Sequence, residues 1–144
     1  MNVFNIANAF AQKKTRGWKR LYWLIDCHGT LIKGSYDKSF SDYVPYPDAQ
    51  KVLQYLSRRE DTTLILWTSS YPKVISEIVE EMAGQDIKFI AVNGNPFERN
   101  NELSDFSQKP YFNILIDDKA GFEPDRDWTL VGRELEKITG DKIL

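Results

Sequence analysis

The chain has 144 residues, 42% of them hydrophobic, with a formal net charge of −2; this is the size and apolar content of a single domain with its own core, and so even a charge balance excludes a global drive toward nucleic acid or an anionic membrane. The single cysteine, Cys27, excludes an internal disulfide and fits a reducing cytoplasm. No apolar run approaches the roughly 20 residues needed to span a bilayer, and the amino terminus lacks the order of a signal peptide, so a cytoplasmic protein with no membrane partner is expected.

Residues 1–144 read as one domain, with residues 1–20 forming an amino-terminal helix and basic segment and residues 21–144 the core. Val3, Ile6, Ala7, Phe10 and Ala11 recur at helical spacing over 2–12, followed by Lys13, Lys14, Arg16, Lys19 and Arg20. This predicts a packed helix with a solvated basic end rather than a docking arm. Leu21 to Ile25 form a continuous apolar run, as in a central parallel strand covered on both faces, which ends at Asp26-Cys27-His28-Gly29-Thr30. Residues 31–46, with Tyr36, Phe40, Tyr43 and Tyr46, read as an irregular flap.

Pro47 and Asp48 open a helix over about 48–59 whose buried stripe is Val52, Leu53 and Leu56. A second strand, Thr63 to Trp67, runs into Thr68-Ser69-Ser70. Pro72 then starts a helix with Val74, Ile75, Ile78, Val79 and Met82 on one face and Gly84 at its end. A third strand over Ile87 to Val92 leads to a polar loop with Asn93, and residues 97–110 are weakly patterned. A fourth strand over Tyr111 to Ile116 ends in Asp117-Asp118, and the tail predicts a short strand, Thr129 to Val131, before a last helix.

Strands alternating with helices imply right-handed crossovers and an α/β three-layer sandwich around a central parallel sheet. Ligands bind such sheets beyond the carboxyl ends of the strands, where Asp26, Thr68, Asp117 and Asp118 all fall. Three carboxylates gathered there repel one another unless a cation sits among them, and hard oxygen ligands with open positions suit magnesium. A phosphate monoester would bridge the metal and Asp26. Its oxygens would meet Thr68, amides of the turn that holds Gly29 and Thr30, those of Ser69 and Ser70, and Asn93 in the loop after strand three.

Leu24-Ile25-Asp26-Cys27-His28-Gly29-Thr30-Leu31 resembles the first motif of haloacid dehalogenase superfamily hydrolases. Leu64 to Thr68 is similar to the second motif, and Ile114 to Asp118 to the fourth, the metal-binding acidic pair; together the three cover about residues 21–122. The resemblance implies that Asp26 is the nucleophile of an aspartyl-phosphate and a magnesium ligand, with the His28 carbonyl as a second ligand. It implies that Thr68 holds a phosphoryl oxygen and that Asp118 ligates directly with Asp117 behind it, although the pair is open to the reverse order.

Two positions depart from that pattern. The family's phosphatases carry an aspartate two residues after the nucleophile as general acid/base; here His28, the only histidine, stands there. Imidazole titrates near neutral pH and suits both roles; the alternative is slow turnover in a phosphate-binding or regulatory relative. The motif's lysine is nearest in sequence at Lys109, yet eight largely extended residues before Asp117 would leave it at the opposite edge of the sheet. Arg99 and Lys119 are alternatives.

Neither gap between motifs holds a cap domain. The resemblance therefore implies a capless magnesium-dependent phosphatase with an open site. Its expected substrate is a phosphorylated small molecule or a phosphorylated polynucleotide or protein end, and a homo-oligomer in which a neighbour acts as the lid fits as well. A receiver-like signalling domain needs its acidic residues in a different order.

Overall fold

Apolar residues in unbroken succession cannot leave either face of a strand in water, so Leu21–Asp26 (β1) sits inside the sheet with Leu21 to Ile25 all buried. The computed structural model describes residues 4–33 and 43–144, so Tyr36 and Phe40 of the expected flap lie outside the described residues. In chain order β1 follows α1 (Phe4–Arg16) and precedes α2 (Ala49–Arg58), β2 (Thr62–Trp67), α3 (Pro72–Gly84), β3 (Phe89–Val92) and β4 (Ile114–Ile116). A 3₁₀ turn, Asp118–Ala120, and α4 (Pro124–Thr139) complete the order.

The four strands form one parallel sheet in the order β3-β2-β1-β4. Trp23 stands between Leu64 and Ile114, and Ile25 between Leu66 and Ile116, which sets these residues on one face. That face shares a single apolar cluster with α1 (Ile6), α2 (Val52, Leu53, Leu56), α3 (Ile78, Met82) and α4 (Trp128, Val131, Leu135). On the opposite face, Tyr22, Leu24 and Ile65 are joined by Tyr111 and Phe112, and no residue of the four helices enters that cluster. The layers are thus helices, parallel sheet and the segment 93–113, and the α/β three-layer arrangement expected from the sequence is the one observed. No helix among the described residues is long and apolar enough to cross a membrane.

Four boundaries differ from the sequence reading, the first being β3, which begins at Phe89 rather than Ile87. Helix α1 continues through the basic cluster to Arg16, where Lys13, Lys14 and Arg16 in its last turn complement the negative end of the helix dipole. Strand β4 begins at Ile114 because the Asn113 side chain takes over the ladder, its Oδ1 accepting the Tyr22 amide at 2.8 Å. The strand expected over Thr129 to Val131 is instead part of α4. A three-residue apolar run carries no period. Pro124 in the first turn, acidic Asp125 and Asp127 behind it, and Trp128, Val131 and Leu135 on one face all specify a helix.

From β1 the chain moves outward through β2 to β3, then returns across the sheet to β4 on the other side of β1. The strand order therefore reverses between β1 and β4. Their carboxyl ends flank the crevice where open α/β sheets bind ligands.

Candidate functional site

Asp26 closes β1, while Asp117 and Asp118 follow β4 and enter the 3₁₀ turn. Because β1 and β4 are neighbours in register, carboxylate oxygens of all three residues come within 4.8 Å of one another. Asp26 and Asp117 are half-buried and Asp118 is exposed. Among the described residues no lysine or arginine pairs with any of them.

Thr30 organises the cluster. Its hydroxyl lies 2.8 Å from Asp26 Oδ2 and 3.2 Å from Asp118 Oδ1, and it accepts the Asp118 amide at 2.9 Å. One proton serves one carboxylate at a time, so the shorter contact to Asp26 is the favoured donation. The Thr30 side is fully buried, and its carbonyl accepts the Trp128 indole N–H at 2.7 Å, which ties the turn to α4. Gly29 carries φ +81°, and a Cβ there would stand 3.2 Å from Asp118 Oδ2. Both the backbone angle and the close approach of that carboxylate favour glycine.

Burial, reinforced by the Asp117 and Asp118 charges and opposed by the Thr30 hydrogen bond, pushes the Asp26 carboxyl up to about 6. Burial likewise raises Asp117, helped by Asp118, although the Lys119 amide donates to Asp117 Oδ1 at 3.0 Å. His28 is half-buried, and desolvation lowers its pKa below the ordinary imidazole value. Cys27 is wholly buried, and burial with Asp26 beside it pushes the thiol up to about 12, which makes it a packing residue.

Thr68 follows β2, and its backbone is clasped by Asn93: Oδ1 accepts the Thr68 amide and Nδ2 donates to the Thr68 carbonyl, each at 2.8 Å. Asn93 adopts φ 55°, which asparagine tolerates, and its own amide continues the ladder to the Leu66 carbonyl at 2.8 Å. Thr68 Oγ1 accepts the Ser70 amide at 3.2 Å, and Ser69 is exposed beside it. Helix α3 starts without a side-chain cap, its first flanking residue being Tyr71, so the Thr68-Ser69-Ser70 run does not cap it.

The sequence-derived candidates thus separate. Asp26, Asp117, Asp118, Gly29 and Thr30 converge in one cluster, but the Gly29 and Thr30 amides donate within the turn to the Ile32 and Cys27 carbonyls. Thr30 is a holder of carboxylates rather than an open phosphate contact, and both polar ends of the Asn93 side chain are engaged with Thr68. Lys109 is a correction: its ammonium sits 6.0 Å from the Phe112 ring, before β4 begins, because no irregular return carries it to the other end of the strand. The exposed Lys119, inside the 3₁₀ turn, is the cation next to the cluster. The Trp128 contribution escaped sequence reasoning. Only the helical period that places Trp128 inward carried any signal of it.

Fold and site together define a parallel-sheet α/β protein with an acidic cluster at its topological switch point. No family model matches the chain, and no curated protein matches it. Among solved structures, a conserved protein coded by a locus from Bacteroides thetaiotaomicron superposes with a TM-score of 0.62 at 24% sequence identity, over 82% of this chain and 91% of that one. That likeness shows a shared fold.

Proposed function

We propose that this protein is a magnesium-dependent phosphomonoester hydrolase resembling the haloacid dehalogenase superfamily, in which Asp26 attacks phosphorus. The observation that supports this most is the gathering of Asp26, Asp117 and Asp118 within 4.8 Å at the switch point, with no lysine or arginine paired to them among the described residues. Such a donor set fits a hard divalent cation: three carboxylates, one exposed, and a raised Asp26 pKa that a cation would relieve. Asp26, Asp118 and, behind it, Asp117 would hold the ion, which when bound supplies charge neutralisation for the nucleophile and the phosphoryl oxygens.

Thr30 engages Asp26 Oδ2, which leaves Oδ1 as the attacking atom. Attack forms an aspartyl-phosphate and breaks the bond to the leaving oxygen, which takes a proton from His28. His28 then accepts a proton from water as that water attacks phosphorus, releasing phosphate and restoring the Asp26 carboxylate. Thr68, its backbone held by Asn93, would contact the transferring group by turning its hydroxyl proton from Ser70 Oγ, 3.1 Å away, at the neighbouring strand end.

A second reading, a phosphate-binding relative with weak turnover, is favoured by one observation: burial lowers the His28 pKa, so little imidazolium is present at neutral pH to protonate a poor leaving group. Phosphate release from a panel of phosphomonoesters, with magnesium and with chelator, tests both. Steady magnesium-dependent release supports the hydrolase; saturable binding of the phosphomonoester without release of phosphate supports the binding relative.

A further inference from the structure

We infer that the open edge of β4 carries a binding groove for a single-stranded polynucleotide, which would lead a terminal phosphate toward the acidic site. Only that last step rests on the hydrolase reading; the groove itself does not.

Strand β4 pairs with β1 alone, leaving its outer edge open among the described residues. Between that edge and α1 runs a groove of about 570 Å³ that reaches Ala120, two residues beyond Asp118. A second hollow of about 420 Å³ joins it, since Trp18 and Tyr111 line both.

The lining chemistry selects the occupant. A single strand needs flat faces for its bases, hydrogen-bonding groups tolerant of sequence, and cations for its backbone. Trp18, Phe106 and Tyr111 supply the rings, with Arg16 5.7 Å from the Trp18 ring and Phe106 and Tyr22 each meeting Tyr111 edge-on, and Asn8, Gln12 and Asn101 supply carboxamides. Lys19 and Arg20 supply the charge, with Arg20 steadied by donating to Thr63 Oγ1 at 2.8 Å.

No carboxylate lines the first groove, and the Glu98 carboxylate in the second accepts from the Tyr22 hydroxyl at 3.0 Å. Of the cations in residues 1–20, Lys13 pairs with Asp61 at 3.2 Å, whereas Lys19 and Arg20 line the second hollow with no carboxylate paired to them among the described residues, so the positive charge is local to the groove. An extended peptide is the other occupant of an open edge, but β4 offers it only three residues of ladder and no alternating apolar pockets.

Binding is measured by fluorescence anisotropy with an unphosphorylated, labelled, mixed-sequence single strand of about 12 nucleotides. The full chain is compared with Lys19→Glu and Gln12→Glu, both exposed positions outside the acidic site. The single strand should bind the parent with a log-log salt slope of about −0.7 per phosphate contacted. The paired variant should weaken binding at least tenfold and raise KM for an end-phosphorylated oligonucleotide alike, while hydrolysis of p-nitrophenyl phosphate is unchanged.

Equal binding by parent and variant, or tight binding of an unrelated extended peptide and not of the single strand, overturns the groove. Absence of p-nitrophenyl phosphate hydrolysis with the binding contrast intact overturns the hydrolase reading and leaves the groove standing.

Discussion

Thr30 has one hydroxyl proton and two carboxylates to hold, and it is buried where water cannot stand in for it. Replacing it with valine keeps the shape and deletes the donor and the acceptor of the Asp118 amide, so stability should fall by about 1–3 kcal/mol. Thr30→Ser should recover most of that; chemical denaturation of the pair checks it, and an unshifted midpoint for valine would contradict the role. His28 makes a prediction of the opposite kind. Its lowered pKa leaves imidazole mostly neutral at pH 7, so the accepting role is filled and the donating role is scarce. The rate with alkyl phosphates, whose leaving oxygens need a proton, should rise as pH drops from 8 toward 6, and the rate with aryl phosphates should change less. His28→Asp should keep activity and move the acidic limb of the profile downward, whereas His28→Ala should slow turnover by about 10²–10⁴; pH–rate profiles of the three proteins decide it.

At the scale of elements, the turn between β1 and the following loop is shaped by the strand beside it. Gly29→Ala would add a Cβ at φ +81° and crowd Asp118 Oδ2, so a loss of about 1–2 kcal/mol is expected from the left-handed backbone. A weaker magnesium response should accompany it, because the displaced group is a carboxylate of the cluster. Thermal melts with and without magnesium read both effects, and a destabilised variant with an undiminished magnesium shift would separate Gly29 from the cluster. Much of this architecture was legible in the chain. The runs Leu21 to Ile25 and Thr63 to Trp67 are too continuously apolar to be anything but inner strands, and Asp26 and Asp117-Asp118 mark their shared edge. The contacts that fasten the edge were not legible, since Trp128 to Thr30 and Asn93 to Thr68 join residues far apart in sequence. The misread Thr129 to Val131 failed for the reverse reason: three β-favouring residues were weighed without the longer period around them.

For the whole molecule, the acidic cluster makes stability depend on pH and, under the proposed magnesium site, on metal as well. The Asp26 pKa stands at about 6 in the folded protein against 3.8 for the free group, so the folded state holds a proton that the unfolded chain has released. Without metal, stability from this group is therefore highest below about 4 and is lost as pH rises through about 6. Asp61, whose pKa lies near 2 despite its burial because Arg59 and Lys13 pair with it, acts with the opposite sign in a lower window; His28, whose pKa burial lowers from 6.5, also opposes the fall, so the Asp26 dependence is read in a His28→Ala background. Denaturant midpoints of chelated protein between pH 4 and 7 should show the fall, and magnesium should remove it. At a hundredfold excess over its dissociation constant the ion should add about 2.7 kcal/mol, a rise in Tm of about 5–10 °C.

The proposed attack of Asp26 on phosphorus is tested by magnesium-dependent phosphate release from the parent and from Asp26→Asn side by side. Release by the parent and a loss of at least about 10³-fold in the variant are expected, with a cooperative melt retained at or above the parent's metal-free Tm because a destabilising buried charge has been removed. Release by Asp26→Asn within about tenfold of the parent, from a folded protein, would contradict it.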